Sequence, residues 1–416
     1  MSDDIAWQFE AVNGHQLVRN GLAFLESDAP RTLEEQKAMT VIPAPPFKEQ
    51  ARAEFFRARL ASAGLREVRI DAEGNVIGIR RGRGGPTLVL SAHIDTVFPE
   101  GTDLTITEKA GLLIAPGIRD DSRGLAAVLS VARALAETGL KTGGDIWFVG
   151  TVGEEGLGNL RGVRALFCDH AAIDGFISID GGDMGRVVTG ATGSRRFRVS
   201  YKGPGGHSFG AFGLPSAVHA LGRAIAKISE MRTPQVPKTT FNVGRVRGGT
   251  GATAIAEDAV MDLDLRSNSG EELEKIAAHA LALIGEAARE ENARWNSDRL
   301  TVATEDLGAR PAGAQPTDLP IVRAAVASLN SLGISEVQYV ASSTDCNIPI
   351  SLGIPAVALP GGGRSGGNHS LTEWYDPRLG HLGPQNAFLT VLTLVGIDGV
   401  TQPALLRRSD ARISRT

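Results

Sequence analysis

The chain has 416 residues, 42% of them hydrophobic and 22% charged, the balance of a soluble globular protein with a full core and a length that calls for two or three domains. Its net charge of −4 offers no basic field to nucleic acid or an anionic membrane, and no apolar run reaches the roughly 18 residues needed to cross a bilayer. The N-terminus, Met-Ser-Asp-Asp, has neither the basic nor the apolar region of a signal peptide, and two cysteines, Cys168 and Cys346, fit a reduced, cytoplasmic setting rather than a disulfide framework.

In chain order, residues 1–30 read as an amphipathic helix carrying Leu17, Leu22 and Phe24. A Pro-rich entry (Pro43, Pro45, Pro46) leads to a second helix over 47–63. Four continuous apolar runs follow: Thr87–Ser91, Asp145–Val149, Gly175–Ile179 and Ile354–Leu359. Continuous runs suit strands buried on both faces of a parallel sheet. Arg123–Leu140 between the first two has helical spacing, so the expected fold is α/β, a mainly parallel sheet with helices on both faces. Residues 195–305 change character. Strands are expected at Arg196–Lys202, Thr239–Val246, Ala259–Arg266 and Leu300–Thr304, with helices at Pro215–Met231 and Gly270–Trp295, the latter N-capped by Ser269. This β-α-β-β-α-β order is the α+β, ferredoxin-like arrangement. It predicts an inserted domain at 195–309, flanked by the two parts of the catalytic domain, 1–194 and 310–416.

The chemistry concentrates at strand ends. His93, Glu155, Asp180 and His369 each lie just past an expected strand, and Asp120 precedes the helix that follows the first of them. Alone, each has an ordinary structural role: a bonded His, an N-capping Asp, a turn Asp, a solvated Glu. Together they lie at the carboxyl edge of a parallel sheet, where such sheets bind ligands. Two imidazoles and three carboxylates can hold two divalent cations with one carboxylate bridging, and the absence of thiolates suits zinc, or manganese or cobalt. Glu154, beside Glu155, is left to act as general base on a metal-activated water. Asp95, two residues beyond His93, is placed to accept a bond from its outward-facing ring nitrogen.

The motifs Ser91-Ala-His-Ile-Asp-Thr-Val, Gly117-Ile-Arg-Asp-Asp-Ser-Arg-Gly, Thr151-Val-Gly-Glu-Glu-Gly, Gly203-Pro-Gly-Gly-His-Ser and Gly367-Asn-His-Ser resemble, in this order, those of the M20 metallopeptidases, a group of di-zinc aminoacylases, carboxypeptidases and tripeptidases. The resemblance spans about residues 40–400. It implies that His93 and Asp180 bind one metal, Glu155 and His369 the other, and that Asp120 bridges them. It also implies Glu154 as base, Asp95 as the residue orienting His93, and the inserted domain as a lid that makes a homodimer. By the same resemblance His207 reaches the partner's site to stabilise an oxyanion, and Arg266 binds a substrate carboxylate. Asn242 and Thr253 are implied as substrate contacts, although Thr253 stands where the family commonly has asparagine. A hydroxyl cannot present an amide's donor and acceptor pair, so a non-peptide C–N bond in a small metabolite is an alternative substrate. Without the resemblance, Arg266 is one of a solvated stripe with Asp262 and Asp264, and His207 is a loop residue.

Two further readings compete. Gly363-Arg-Ser-Gly-Gly satisfies G-x-S-x-G, which would make Ser365 a serine nucleophile, but the residues after it promise no helix. A non-catalytic binding protein would have lost a ligand or the base, and all are present. The expectation is therefore a cytoplasmic, homodimeric two-metal hydrolase of peptide or amide bonds, taking short peptides or N-acyl amino acids.

Overall fold

The structure, a computed structural model, describes residues 2–170 and 172–408. It divides into two compact units: residues up to Ala191 together with those from Ala314 onward, and Thr192–Gly313.

In the first unit the strand Thr87–His93 lies between Asp145–Thr151 and Gly175–Gly181, parallel to both, and Ala356–Pro360 continues the parallel set beside Gly175–Gly181. Leu88, Leu90 and Ala92 join one apolar core, while Val89 joins the core on the other face. Burial on both faces is why these segments read as unbroken apolar runs. Gln338–Ser342 runs parallel to Arg186–Ala191 as well, and the sheet also has antiparallel members. Val76–Arg80 pairs antiparallel with Asp145–Thr151 and with Glu67–Ile70, and Arg186–Ala191 pairs antiparallel with Ala356–Pro360. For the pair Glu67–Ile70 and Val76–Arg80 the reason is connection length. A turn in which Asp71 accepts the N–H groups of Glu73, Gly74 and Asn75 joins the outer two strands, and so short a link permits only an antiparallel pair.

The helix Ser122–Thr138 crosses the sheet with Ala126, Leu129 and Val131 fully buried. The single N-terminal helix expected over 1–30 is instead three: Ser2–Gly14, Gln16–Ser27 and Ala29–Thr40. Pro30 sits in the first turn of the third, where it lacks no needed N–H, so it starts that helix rather than ending the pattern.

The second unit is a four-stranded antiparallel sheet in the order Thr239–Gly248, Asp258–Ser267, Gly193–Lys202, Thr301–Arg310. Helices Ala217–Ser229 and Gly270–Arg294 pack together with the sheet's apolar face. Asp258–Ser267 shows the logic: Ala259, Met261, Leu263 and Leu265 are buried, and Asp262, Asp264 and Arg266 alternate onto the opposite face. Ser269 caps the long helix, accepting the N–H of Glu272 at 3.4 Å.

Candidate metal centre

The carboxyl ends of the parallel strands deliver the acidic and imidazole groups to one edge of the first unit. His93 is the last residue of its strand, Glu154 and Glu155 follow Asp145–Thr151, and Asp180 closes Gly175–Gly181. The helix Ser122–Thr138 starts at the same edge, with Asp121 accepting the N–H groups of Gly124 at 3.0 Å and of His93 at 3.0 Å. Helix and strand meet so closely that a Cβ on Gly124 would lie 2.1 Å from the Ile179 carbonyl oxygen. Asp120 is thereby held against the strand that carries Asp180 near its end.

The side chains converge on Asp120. Its Oδ1 is 3.0 Å from His93 Nε2, and its Oδ2 is 3.4 Å from His369 Nε2. His369 Nε2 is also 3.0 Å from Glu155 Oε1. Ligand atoms of His93, Asp120 and Glu155 all lie within 4.8 Å of one another. Asp180 joins through Arg119, whose guanidinium nitrogens stand 3.0 Å from Asp120 Oδ2 and 3.7 Å from Asp180 Oδ1. All but His369 are largely buried; its side chain is 53% exposed and forms the open side of the group.

The electrostatics follow from crowding. Burial, with Asp120 nearby, raises the Asp180 carboxyl above its usual range. Burial likewise raises Asp121, against the opposing pull of His93. Asp120 goes the other way: burial works against its charge, but Arg119 and the two imidazoles hold it well below the ordinary carboxylate value. His369 is raised to about 10 by its bonds to Asp120 and Glu155. Burial disfavours the charged His93 ring, yet Asp120 and its neighbours outweigh that and raise it as well. With Nδ1 at 2.9 Å from the Asp95 carbonyl, a neutral His93 ring would turn its Nε2 lone pair toward the Asp120 carboxylate. A divalent cation resolves that conflict, and a set of imidazole nitrogens and carboxylate oxygens is chemically fitted to one.

Several groups that hold this edge in place are less visible in the sequence. His93 Nδ1 is 2.9 Å from the Asp95 main-chain carbonyl and 3.8 Å from its carboxylate, so the ring leans on the backbone rather than on the expected carboxylate. The Asp95 carboxylate is used elsewhere: it accepts the N–H groups of Glu154 at 2.9 Å and Glu155 at 2.8 Å, tying the two loops together. Glu373, fully buried, accepts the N–H groups of Arg119 at 2.9 Å, Asp120 at 3.0 Å and His369 at 3.3 Å. It pins His369 in a left-handed backbone conformation (φ 64°), which a non-glycine residue adopts at some cost and which marks a site where geometry is imposed. Arg123 reaches from the helix to the carbonyls of Gly361 at 2.7 Å and Gly380 at 2.6 Å, anchoring the glycine loop before His369. Gly362 there has φ 87°, and a Cβ on it would meet the Gly380 carbonyl oxygen at 2.1 Å. Asp345, bonded to the Thr151 hydroxyl, is raised to about 6 by burial. Glu373 and Asp345 lie in loops with no flanking apolar run to single them out.

The remaining expected residues belong to the second unit. His207 is exposed in a two-residue strand paired with Ala254–Ile255. Its Nδ1 accepts the N–H groups of Phe209 and Gly210, both at 3.2 Å, which leaves Nε2 to carry the proton of the neutral ring. Thr253 is exposed, and its carbonyl accepts the Ser208 N–H at 2.9 Å. Asn242 is exposed on the outer strand, opposite Asp264. Arg266 donates from Nε to Asp264 at 2.7 Å, within the charged stripe. Ser365 lies in the strand Arg364–Gly366, paired with Trp374–Asp376, and opens no helix, so the nucleophile-elbow geometry is absent.

This fold and donor set are those of a metal-dependent hydrolase. The profile of Peptidase family M20/M25/M40 matches residues 89–390, and the chain belongs to that family, whose members hydrolyse peptide or amide bonds in small substrates. It is 27% identical over 293 residues to a succinyl-diaminopimelate desuccinylase of Leptothrix cholodnii, covering 63% of this chain and 72% of the relative. It is 28% identical over 242 residues to carboxypeptidase G2 of Pseudomonas sp., covering 54% and 56%. Its fold resembles a Staphylococcus aureus tripeptidase (TM-score 0.75, 24% identity, covering 88% of this chain and 98% of that one). It also resembles a Bacillus subtilis dinuclear metal binding peptidase (TM-score 0.66, 15% identity, covering 89% and 99%). No helix among the described residues is long and apolar enough to cross a membrane.

Proposed function

We propose that the protein is an exopeptidase or N-acyl amino acid amidohydrolase that works with two zinc ions. The observation carrying this reading is the Asp120 carboxylate, with one oxygen at 3.0 Å from His93 and the other at 3.4 Å from His369, the disposition of a bridging ligand. In this reading His93 and Asp180 hold one ion, Glu155 and His369 the other. Bound ions of this kind acidify water and polarise a carbonyl. Glu154 takes the proton of the attacking water and returns it to the leaving nitrogen. Its placement is supported by the Asp95 carboxylate, which accepts the Glu154 and Glu155 amides and so fixes the backbone that carries base and ligand. Asp95 also steadies His93 through its carbonyl.

The second unit is read as lid and dimerisation domain, with boundaries near 195 and 309. His207, with its proton on Nε2, is suited to donate to an oxyanion, here in the partner's site. Arg266, Asn242 and Thr253 would contact substrate, the Arg266 guanidinium pairing with a substrate carboxylate. The presence of threonine at 253 favours one second reading, hydrolysis of a non-peptide C–N bond. The unpaired cysteines, Cys168 and Cys346, fit a cytoplasmic setting.

The test is a screen of chelator-stripped protein, reloaded with zinc, manganese or cobalt, against dipeptides, tripeptides and N-acyl amino acids. Metal-restored cleavage of any of these supports the reading. Chelator-resistant activity that a serine-directed phosphonate abolishes would overturn it. The shared site is tested by subunit exchange between inactive His207→Ala and Glu154→Gln homodimers. Action in trans gives each heterodimer one site with both defects and one with neither, so activity returns; heterodimers as dead as their parents refute it.

A further inference from the structure

We propose that the open face of the second unit's sheet carries a binding site for the phosphate group of a small molecule, built from Arg198, Arg245 and Arg247. Every residue of the site lies in the second unit, so the inference stands apart from the two-metal reading and goes beyond it.

The register of the sheet builds the site. Arg245 stands opposite Asp262, and Asp262 opposite Arg198, so the three side chains share one face across three neighbouring strands. In the next row Arg247 stands opposite Val260. A β-bulge between Val243 and Arg245 puts both arginines there. Before it, Phe241 and Val243 pack against the apolar core of this unit, and Thr240 and Asn242 alternate onto the open face. Strict alternation would carry Arg245 and Arg247 to the apolar side; the extra residue, Gly244, returns them to the open one. With Val260 and Asp262 the three arginines line a cleft of about 320 Å³, at the low end of small-molecule sites.

The charges in this cleft do not balance. Asp262 accepts Arg198 Nε at 2.9 Å and Nη2 at 3.2 Å, and Arg245 Nη1 stands 3.7 Å from the same carboxylate. Glu305 reaches Arg198 only at 4.0 Å and lies outside the cleft. Arg247 has no acidic partner among the described residues. Three guanidinium groups thus face one carboxylate. A planar carboxylate accepts one guanidinium fork side-on, as Asp262 accepts Arg198. A phosphate dianion presents three terminal oxygens and can meet all three forks. Val260 is the cleft's one apolar side chain, so the site fits the phosphate itself rather than a large apolar body.

The experiment is isothermal titration of the full, metal-loaded chain with inorganic phosphate and with glycerol phosphate at constant ionic strength, repeated on chelator-stripped protein. The expected result is saturable binding of one equivalent per chain that survives metal removal. Arg247→Gln should weaken it by roughly ten- to a hundredfold, the range of a charge-assisted hydrogen bond. Arg247→Lys should stay weakened, because it keeps the charge and loses the fork. Asp262→Asn should shift affinity the other way, since it removes the one carboxylate that competes with the ligand for Arg198 and Arg245. If Arg247→Gln does not fold, Arg245→Gln takes its place with the same expected loss. No saturable binding, or unchanged affinity in the glutamine variant, would overturn the proposal. So would Arg247→Lys binding as well as wild type, which marks a diffuse positive field, or binding that disappears with the metal, which belongs to the metal edge.

Discussion

The sheet of the second unit and the metal edge of the first treat carboxylates in opposite ways. In Thr192–Gly313 the acidic side chains of the sheet are matched to guanidinium groups: Asp262 to Arg198 at 2.9 Å, and Asp264 to Arg196 at 3.2 Å and Arg266 at 2.7 Å. Even the buried Glu291 has Arg223 at 3.1 Å, the Ser216 N–H and the Trp295 ring N–H. In the other unit Asp95, Asp120, Asp121, Glu155, Asp180 and Glu373 crowd one sheet edge with Arg119 as the guanidinium between two of them. There burial raises Asp180, Asp121, Asp95 and Glu373 above their usual range. Matched carboxylates fasten a surface; crowded, buried ones await a cation.

The largest expected effect would separate base from ligand within the crowded edge. Glu154→Gln should keep its metal and lose roughly 10²–10⁴ in kcat. Glu155→Gln should instead shed metal, and elemental analysis showing equal metal loss in both would erase the distinction. Next comes the buried support. Glu373→Gln keeps the volume but weakens the grip on three N–H groups, and should lower metal affinity by roughly 10–100-fold, measured by chelator competition. Unchanged affinity would mean that the His369 backbone needs no such hold.

A smaller effect probes whether the matched unit is only structural. Arg266→Ala should raise KM roughly tenfold for substrates with a free carboxylate and little for their amides. Equal changes for acid and amide would confine Arg266 to its pair with Asp264. The smallest concerns Glu291. Burial opposes its charge, but the Ser216 N–H, Arg223 and Trp295 outweigh this and depress its carboxyl. A depressed folded value means stability present above the unfolded value of about 4.3 and lost as pH falls through the folded one. Glu291→Gln should therefore lower the Tm of this unit by about 4 °C at pH 7, and the gap to wild type should close in acid. A gap that persists unchanged below pH 3 would show packing rather than charge at work.

Strand ends and ligand types could be read from the chain itself. A run such as Thr87–Ser91 is apolar on both faces because both faces are buried, and the polar residues just beyond it must sit at the sheet edge. That local rule placed His93, Glu155 and Asp180 without coordinates, and put a helix start at Asp120 and Asp121. The antiparallel strands Glu67–Ile70 and Val76–Arg80 escaped it, since the first is only half buried and Gly78 interrupts the second. The single helix expected over 1–30 likewise missed that Pro30 lies in the first turn of a new helix. Tertiary structure alone decided the rest: that Asp95 spends its carboxylate on the Glu154 and Glu155 amides, that Glu373 pins two amides more than 250 residues away beside that of nearby His369, and that Arg119 lies between Asp120 and Asp180. Periodicity reports which face of an element is dry. It carries no information on which distant amide or guanidinium will meet a buried carboxylate, because that partner is chosen only when the elements pack.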